Sequence, residues 1–297
     1  MAFTLKIQAV DKSDKTGSFD FKKMVNDCGL KFGSDNEYYV LEEGKQNKST
    51  AILYNPKRIG RGIYFESDEL ASGTITVSYS IPTTGTEIRD FVKVVKEIAS
   101  QLGEVTMYCE EEEAEYTLET LEANIDIMIE FSLKNLHVFC NNDEYEQFIL
   151  TLAMFPWYMD DKKRTMYKKC PTLDDFEQTI HDLQKGDYYF ATPSLYRSRE
   201  DEKVLGVYTL TEELESIFPV DPTDCLNLDD FSIDRGYIRF FIYSENKSLD
   251  GVYPYDKFID FVMEKGAEPF DERRILVPSI TKEEIMEFIE TVKDEKY

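Results

Sequence analysis

Along the first hundred residues the apolar positions change period once. Phe3, Leu5, Ile7 and Ala9 alternate with polar residues, and Ile75, Val77, Tyr79 and Ile81 repeat the pattern. A period of two belongs to a strand with one buried face. Both segments are therefore predicted strands, with shorter ones at 38–41, 51–54 and 63–65 between Gly- and Asn-containing turns. After Pro82 and Gly85 the spacing becomes helical. Ile88, Phe91, Val92, Val95, Ile98, Ala99 and Leu102 share one side, Thr86 is placed to cap it and Gly103 to end it. The other side carries Glu87, Arg89, Asp90, Lys93, Lys96 and Glu97, which reads as a solvated face. A strand is predicted at 105–109. Leu118, Leu121, Ile125, Met128 and Ile129 then mark a second helix, and 136–140 reads as a strand.

The second half alternates shorter elements. Tyr145, Phe148, Ile149 and Leu152 suggest a helix capped near Asn142, and Thr172 leads a helix through Leu173, Phe176, Ile180 and Leu183. Strands are expected at 188–191, 204–210, 238–243 and 275–277. A short helix starts at Thr211 and runs through Leu214, Ile217 and Phe218. Phe258, Ile259, Val262 and Met263 form another helix, and Thr281 with Glu284 is a capping box that opens the last one. Strands and helices interleave without long βαβ units. The expected class is α+β, with two lobes of mainly antiparallel or mixed sheet and packed helices. The lobes are placed at 1–138 and 139–297, a soft boundary because no Pro/Gly/Ser-rich linker marks it. No internal repeat is evident.

The runs Gln184-Lys185-Gly186-Asp187-Tyr188-Tyr189-Phe190-Ala191, Pro193-Ser194-Leu195-Tyr196 and Val207-Tyr208-Thr209-Leu210-Thr211-Glu212 resemble an uncharacterised family, a domain of unknown function. Its members are cytosolic proteins of about this length from low-GC Gram-positive bacteria. The helix after Pro82 is similar as well. The shared motifs are structural, so the resemblance implies a bacterial cytosolic origin and supplies no catalytic residue.

Composition narrows the choice of function. The 297 residues are 42% apolar, with 20 Phe and 19 Tyr, which is enough to build a core. Against 34 basic residues stand 59 acidic ones, giving a net charge of −25 at pH 7. That balance argues strongly against sequence-independent nucleic-acid binding, which needs a basic footprint. No basic segment precedes an apolar run near the start, and the most apolar stretch, 148–159, is short and holds Pro156. A membrane span needs about twenty such residues. The expectation is a cytoplasmic protein with no membrane association. Five widely spaced cysteines without a CxxC pair read as reduced thiols, most of them filling the core.

Catalytic signatures are absent: no phosphate loop, nucleophile elbow, HExxH or kinase set occurs. Gly60-Arg61-Gly62 is a bare GxG that reads as a turn. The two histidines, His137 and His181, have no evident partners. On a strand, His137 and Cys140 would face opposite ways, and Cys170 with His181 lacks anything that activates the thiol. Asn246-Lys247-Ser248-Leu249-Asp250-Gly251 begins like a calcium loop, but Lys257 stands where a bidentate Glu is needed. Asp229, Asp230 and Asp234 form a carboxylate cluster with no ligand spacing. No metal and no cofactor are expected, and the enzyme question stays open, leaning to no.

Two features remain. Residues 110–130 hold nine acids and no Lys or Arg. If the segment is one helix, Glu115, Glu119, Glu122, Asp126 and Glu130 form a stripe of like charge, which costs roughly 0.2–0.5 kcal/mol per pair. A solvated face is the bland reading and a docking surface for a basic protein the sharper one. The second is Trp157 with Tyr158, the only tryptophan and its neighbour, of a kind that anchors interfaces or pockets, though core packing under a loop is the better reading. The leading expectation is a non-enzymatic acidic interaction protein, inhibitor-like or immunity-like, binding a basic partner. The alternative is an enzyme or small-ligand binder with a carboxylate- and tyrosine-lined cleft between the lobes. Oligomeric state is not legible.

Overall fold

The computed structural model describes residues 1–10, 19–199, 201–226 and 232–292. It is an α+β protein that divides into two compact units, one of Met1–Asn36 with Val40–Lys185, the other of Glu37–Tyr39 with Gly186–Tyr297.

The first unit contains, in chain order, β1 (Ala2–Ala9), α1 (Phe21–Asp27), β2 (Lys31–Asp35), β3 (Leu41–Glu43), β4 (Thr50–Tyr54), β5 (Ile63–Glu66), β6 (Thr74–Ser80), α2 (Gly85–Leu102), β7 (Val105–Cys109), β8 (Ala114–Tyr116), α3 (Leu118–Ala123), α4 (Ile125–Asn141), β9 (Ile149–Thr151), β10 (Pro156–Tyr158), α5 (Asp161–Tyr167) and α6 (Asp174–Gln184). Eight strands form one antiparallel sheet in the order β3-β2-β4-β5-β6-β1-β7-β8. The alternation in β1 has its predicted effect: Phe3, Leu5, Ile7 and Ala9 are buried and the residues between them are not. Against Leu5 and Ile7 lie Val77 and Ile75 of β6, paired in register. α2 covers this face with Ile88, Phe91, Val95 and Ile98, all fully buried. Phe91 meets Tyr79 and Phe3 edge-on, at 5.0 and 5.7 Å between ring centres.

Several local expectations are corrected. Thr84, not Thr86, caps α2, its side chain accepting from the Glu87 backbone N–H at 3.0 Å. Glu87 and Asp90 are buried rather than solvated. Residues 136–140 belong to α4, because Ser132, Leu136 and Cys140 recur every four residues on its buried side. The helix expected over 145–152 is a strand: β9 pairs with β10, and this short buried hairpin carries apolar residues on both faces, so no period of two appears. The boundary expected at 138/139 falls inside α4, whereas the compact units divide after Lys185.

The second unit contains β11 (Tyr189–Phe190), β12 (Ser194–Arg197), β13 (Val204–Thr211), β14 (Ser216–Pro219), β15 (Arg235–Ile242), β16 (Lys247–Ser248), β17 (Tyr253–Pro254), α7 (Tyr255–Glu264), β18 (Glu268–Pro269), β19 (Arg274–Val277) and α8 (Lys282–Thr291). One sheet runs β11-β14-β19-β18. The other runs β12-β13-β15-β16, with β17 also on β15. Both are mixed, through the parallel pairs β11–β14 and β13–β15. The helix expected after Thr211 is β14, a strand buried at all four positions and therefore without alternation. Leu210, Phe218, Ile238, Phe240, Phe258 and Phe288 build the core of this unit. The capping box at Thr281 and Glu284 forms as predicted.

Candidate functional site

The acidic run is split among three elements. Glu115 lies on β8, Glu119 and Glu122 on α3, Asp126 and Glu130 on α4. Thr117 opens α3 with a capping box, its side chain accepting from Thr120 N–H, and Asn124 separates the two helices. The single stripe expected from one continuous helix is thereby corrected. A β-strand precedes α3, and Asn124, with φ −92° and ψ 0°, breaks the helical path between its halves. The break leaves every one of the five acids at the surface. Glu122 pairs with Lys96 of α2, and Glu130 pairs with Lys134 at 3.0 Å. Glu115, Glu119 and Asp126 make no ion pair among the described residues.

Asp126 and Glu130 also stand at a cavity of about 480 Å³ bounded by α2, α4 and the start of α6. Glu177 closes one side by accepting from the Thr86 backbone N–H at 3.1 Å and from its hydroxyl at 2.6 Å. The first turn of α2 is thus satisfied from within the protein. Arg89 is exposed at the same cavity and has no ion-pair partner among the described residues. Leu133 and Leu173 supply apolar wall. Carboxylates outnumber the one guanidinium here, so the arrangement suits an ammonium or guanidinium head on an aliphatic stem.

Trp157 and Tyr158 are not part of any surface. They are 2% and 5% exposed, and Trp157 packs with Leu136, Phe148 and Phe176. β10 is buried at all three positions, on both of its faces, which removes the two residues as interface anchors.

The histidines and thiols find partners that sequence spacing did not disclose. His137 Nε2 lies 2.9 Å from the Cys170 carbonyl oxygen and 3.7 Å from its Sγ. Cys170 therefore meets His137, 33 residues away, rather than His181. His181 Nδ1 accepts from Ile59 N–H at 3.1 Å, which fixes that nitrogen as unprotonated, and burial lowers its pKa. Burial also raises all five thiols: Cys28 to about 11, Cys140 and Cys225 to about 12, Cys109 and Cys170 in the same direction. All five are free, as expected. Desolvation thus keeps each of them a thiol at neutral pH, not the thiolate that attacks carbonyls or disulfides.

Gly60-Arg61-Gly62 is a bend leading into β5, and its arginine is a buried residue that the sequence did not flag. Arg61 donates to the carbonyl oxygens of Thr151 at 2.9 Å and Pro82 at 2.8 Å. Glu87 accepts from Gly62 N–H at 2.5 Å and from the Thr83 hydroxyl. Gly62 has φ +93°, and a Cβ there would come within 2.5 Å of Ile52. Every partner in this network lies within the first unit, and its groups are satisfied. It holds the sheet, the start of α2 and the β9 strand in one arrangement.

The second unit has its own cavity of about 680 Å³, lined by Asp221, Arg235, Tyr237, Asp256 and Asp260 among others. Arg235 is engaged with Asp201 at 2.8 Å. Of the Asp229–Asp234 cluster, Asp229 and Asp230 lie outside the described residues, and Asp234 accepts from Val204 N–H at 2.8 Å. Asn246 ends a short 3₁₀ turn with φ +49°, and Lys247–Ser248 forms β16, so the calcium-loop likeness resolves into a polar turn. Among the described residues no group of three or more His, Cys, Asp or Glu side chains is placed to hold a metal, and no helix is long and apolar enough to cross a membrane.

No curated protein and no solved structure matches the chain. A family model does, and its match takes in the eight-stranded sheet, the acidic helices and almost all of the second unit: over residues 2–288 the chain belongs to DUF4299, a domain of unknown function.

Proposed function

We propose that this chain is a non-catalytic binding protein whose acidic helices α3 and α4 dock a basic surface of another protein, in the manner of an inhibitor or immunity protein. The observation that carries this reading is the uncompensated charge of those helices. Glu119 and Asp126 are exposed on consecutive helices with no cation paired to either among the described residues, in a chain of net charge −25. Acids placed this way steer a basic partner toward the surface and set its orientation more than they add raw affinity.

The test is capture of the tagged protein's partner from the cytosol of its source cell, at low salt and above roughly 0.5 M, where screening shortens to a few Å. A stoichiometric basic protein, retained at low salt, lost at high salt and lost with Glu119→Lys/Asp126→Lys, is the expected result. Retention by that double variant would overturn the proposal.

A second reading rests on the cavity of the second unit, whose carboxylates and tyrosine suit a small polar ligand. A ligand-dependent rise in Tm, removed by Asp256→Asn/Asp260→Asn, would establish it.

A further inference from the structure

α4 carries apolar residues where the fold has no use for them. Ser132, Leu136 and Cys140 face the core, while Ile127, Phe131 and Val138 are 63%, 47% and 67% exposed. With Lys134 they stand at steps of four, three and four, which places all four side chains along one side of the helix. Polar residues at these positions would cost the folded state little, so folding alone does not account for a stripe of Ile, Phe and Val. Such faces on soluble proteins mark binding surfaces. The stripe rises about 16 Å from Ile127 to Val138 at 1.5 Å per residue, the length of three helical turns.

The charges beside the stripe indicate what covers it. At 100° per residue, Asp126 and Glu130 flank it on one side, and Glu119 and Glu122 of α3 precede it. Lys134 sits within the stripe and is engaged by Glu130. We propose that this face of α4 is the seat of a basic amphipathic helix from the partner protein. The partner's apolar residues, spaced i, i+3/i+4, i+7, would cover Ile127, Phe131 and Val138, and its Lys or Arg residues would meet Asp126 and Glu130. A second copy of this chain fits less well, since it would bring together two chains of charge −25 with their acids side by side. The proposal rests on the reading of the chain as a docking protein for basic partners and names the element it receives.

The test uses the full chain and two synthetic peptides of about five helical turns and identical composition. One has Leu on one helical face and Lys on the rest; the other scrambles the same residues. Binding is followed by fluorescence anisotropy at low salt. The amphipathic peptide should bind at least tenfold more tightly than its scramble, and Phe131→Glu or Val138→Glu should each weaken it at least tenfold. Both substitutions add negative charge. A purely electrostatic attraction would tighten instead, and unchanged or tighter binding overturns the proposal. So does equal binding of the two peptides, or none. Binding that survives Phe131→Glu but is lost in Glu119→Lys/Asp126→Lys overturns this seat and leaves the acidic docking face standing. Binding that survives the charge reversal overturns the basic-partner reading itself. Sedimentation that shows a dimer dispersed by Phe131→Glu would identify a second copy as the occupant and overturn the assignment. Far-UV circular dichroism and Tm of each variant confirm that it is folded.

Discussion

α2 and α4 are nearly equal in length, 18 and 17 residues, and use their side chains in opposite ways. α2 buries eleven residues, charged Glu87 and Asp90 among them, and its exposed positions are polar. α4 buries three and leaves Ile127, Phe131 and Val138 in solvent. The composition of α2 follows from the fold it must complete, because each apolar residue has the sheet or a neighbouring helix to pack against. The composition of α4 exceeds what the fold asks. That surplus is the observation on which the proposed docking role of α4 rests.

The contrast should be widest for matched phenylalanines. Phe91 of α2 is fully buried against Tyr79 and Phe3. Truncation to Ala removes that packing and leaves a cavity, so Phe91→Ala should destabilise by about 3–5 kcal/mol in urea unfolding. Phe131→Ser in α4 should move stability by no more than about 0.5 kcal/mol in either direction. Comparable losses for the two would mean that the outer face of α4 is a folding surface after all.

Next in size is the buried charge at the start of α2. Glu87→Ala strips the acceptor from Gly62 N–H and takes away the negative charge near buried Arg61. The expected loss is about 3 kcal/mol. The same carboxyl makes a pH prediction. Burial pushes its pKa above the usual 4.5, against the pull of Thr83, Gly62 and Arg61. Between 4.5 and the raised value the native chain holds more protons than the unfolded one, so this group's contribution to stability falls as pH rises through that window. Glu87→Gln should flatten the stability–pH profile there. An unchanged slope would show that Glu87 is solvated.

How much of this was legible beforehand differs between the same two helices. The apolar spacing of α2, the alternation of β1 and β6 and the capping box of α8 all appear in the sequence, because each depends on neighbours within a few residues. The division at Asn124 does not, since Ile125, Met128 and Ile129 continue the apolar period of α3 across the break. The fate of Trp157 depends on β9–β10 pairing, and that of Arg61 on carbonyls at Thr151 and Pro82, 90 and 21 residues away. The acids of α3 and α4 were legible as a charge run. The stripe beside them was hidden, because the apolar residues of α4 are spread around the helix, and only the packed structure shows which of them the core uses.

On its inner side α4 behaves like α2. Ser132 Oγ accepts from Thr83 N–H at 2.7 Å and donates to Thr83 C=O at 2.6 Å, tying α4 to the loop that leads into α2. Ser132→Ala leaves both buried backbone groups without a partner and should cost about 1–3 kcal/mol. Ser132→Cys, which keeps a weak donor and acceptor at that place, should recover part of the loss. A neutral Ser132→Ala would show that water reaches Thr83 and that α4 is held more loosely than its burial suggests.

The smallest effect should come from the centre of the outer face. Lys134 and Glu130 pair at 3.0 Å with both side chains about two-thirds exposed. An i,i+4 pair of this exposure contributes about 0.3–0.5 kcal/mol at low salt and less as salt rises. Lys134→Ala should therefore lower stability by only a few tenths of a kcal/mol. Its effect on partner binding should run the other way, because removing the only cation in the stripe frees Glu130 for a basic ligand and makes the face more negative. Tighter binding of a basic amphipathic helix with stability almost unchanged would place Lys134 as a brake on association. Weaker binding would mean that the lysine's aliphatic stem forms part of the apolar seat, so that Ile127, Phe131, Lys134 and Val138 act as one continuous surface. Lys134→Met, which keeps the stem and removes the charge, separates the two: it should bind more tightly than wild type in either case, and more tightly than Lys134→Ala only if the stem is part of the seat.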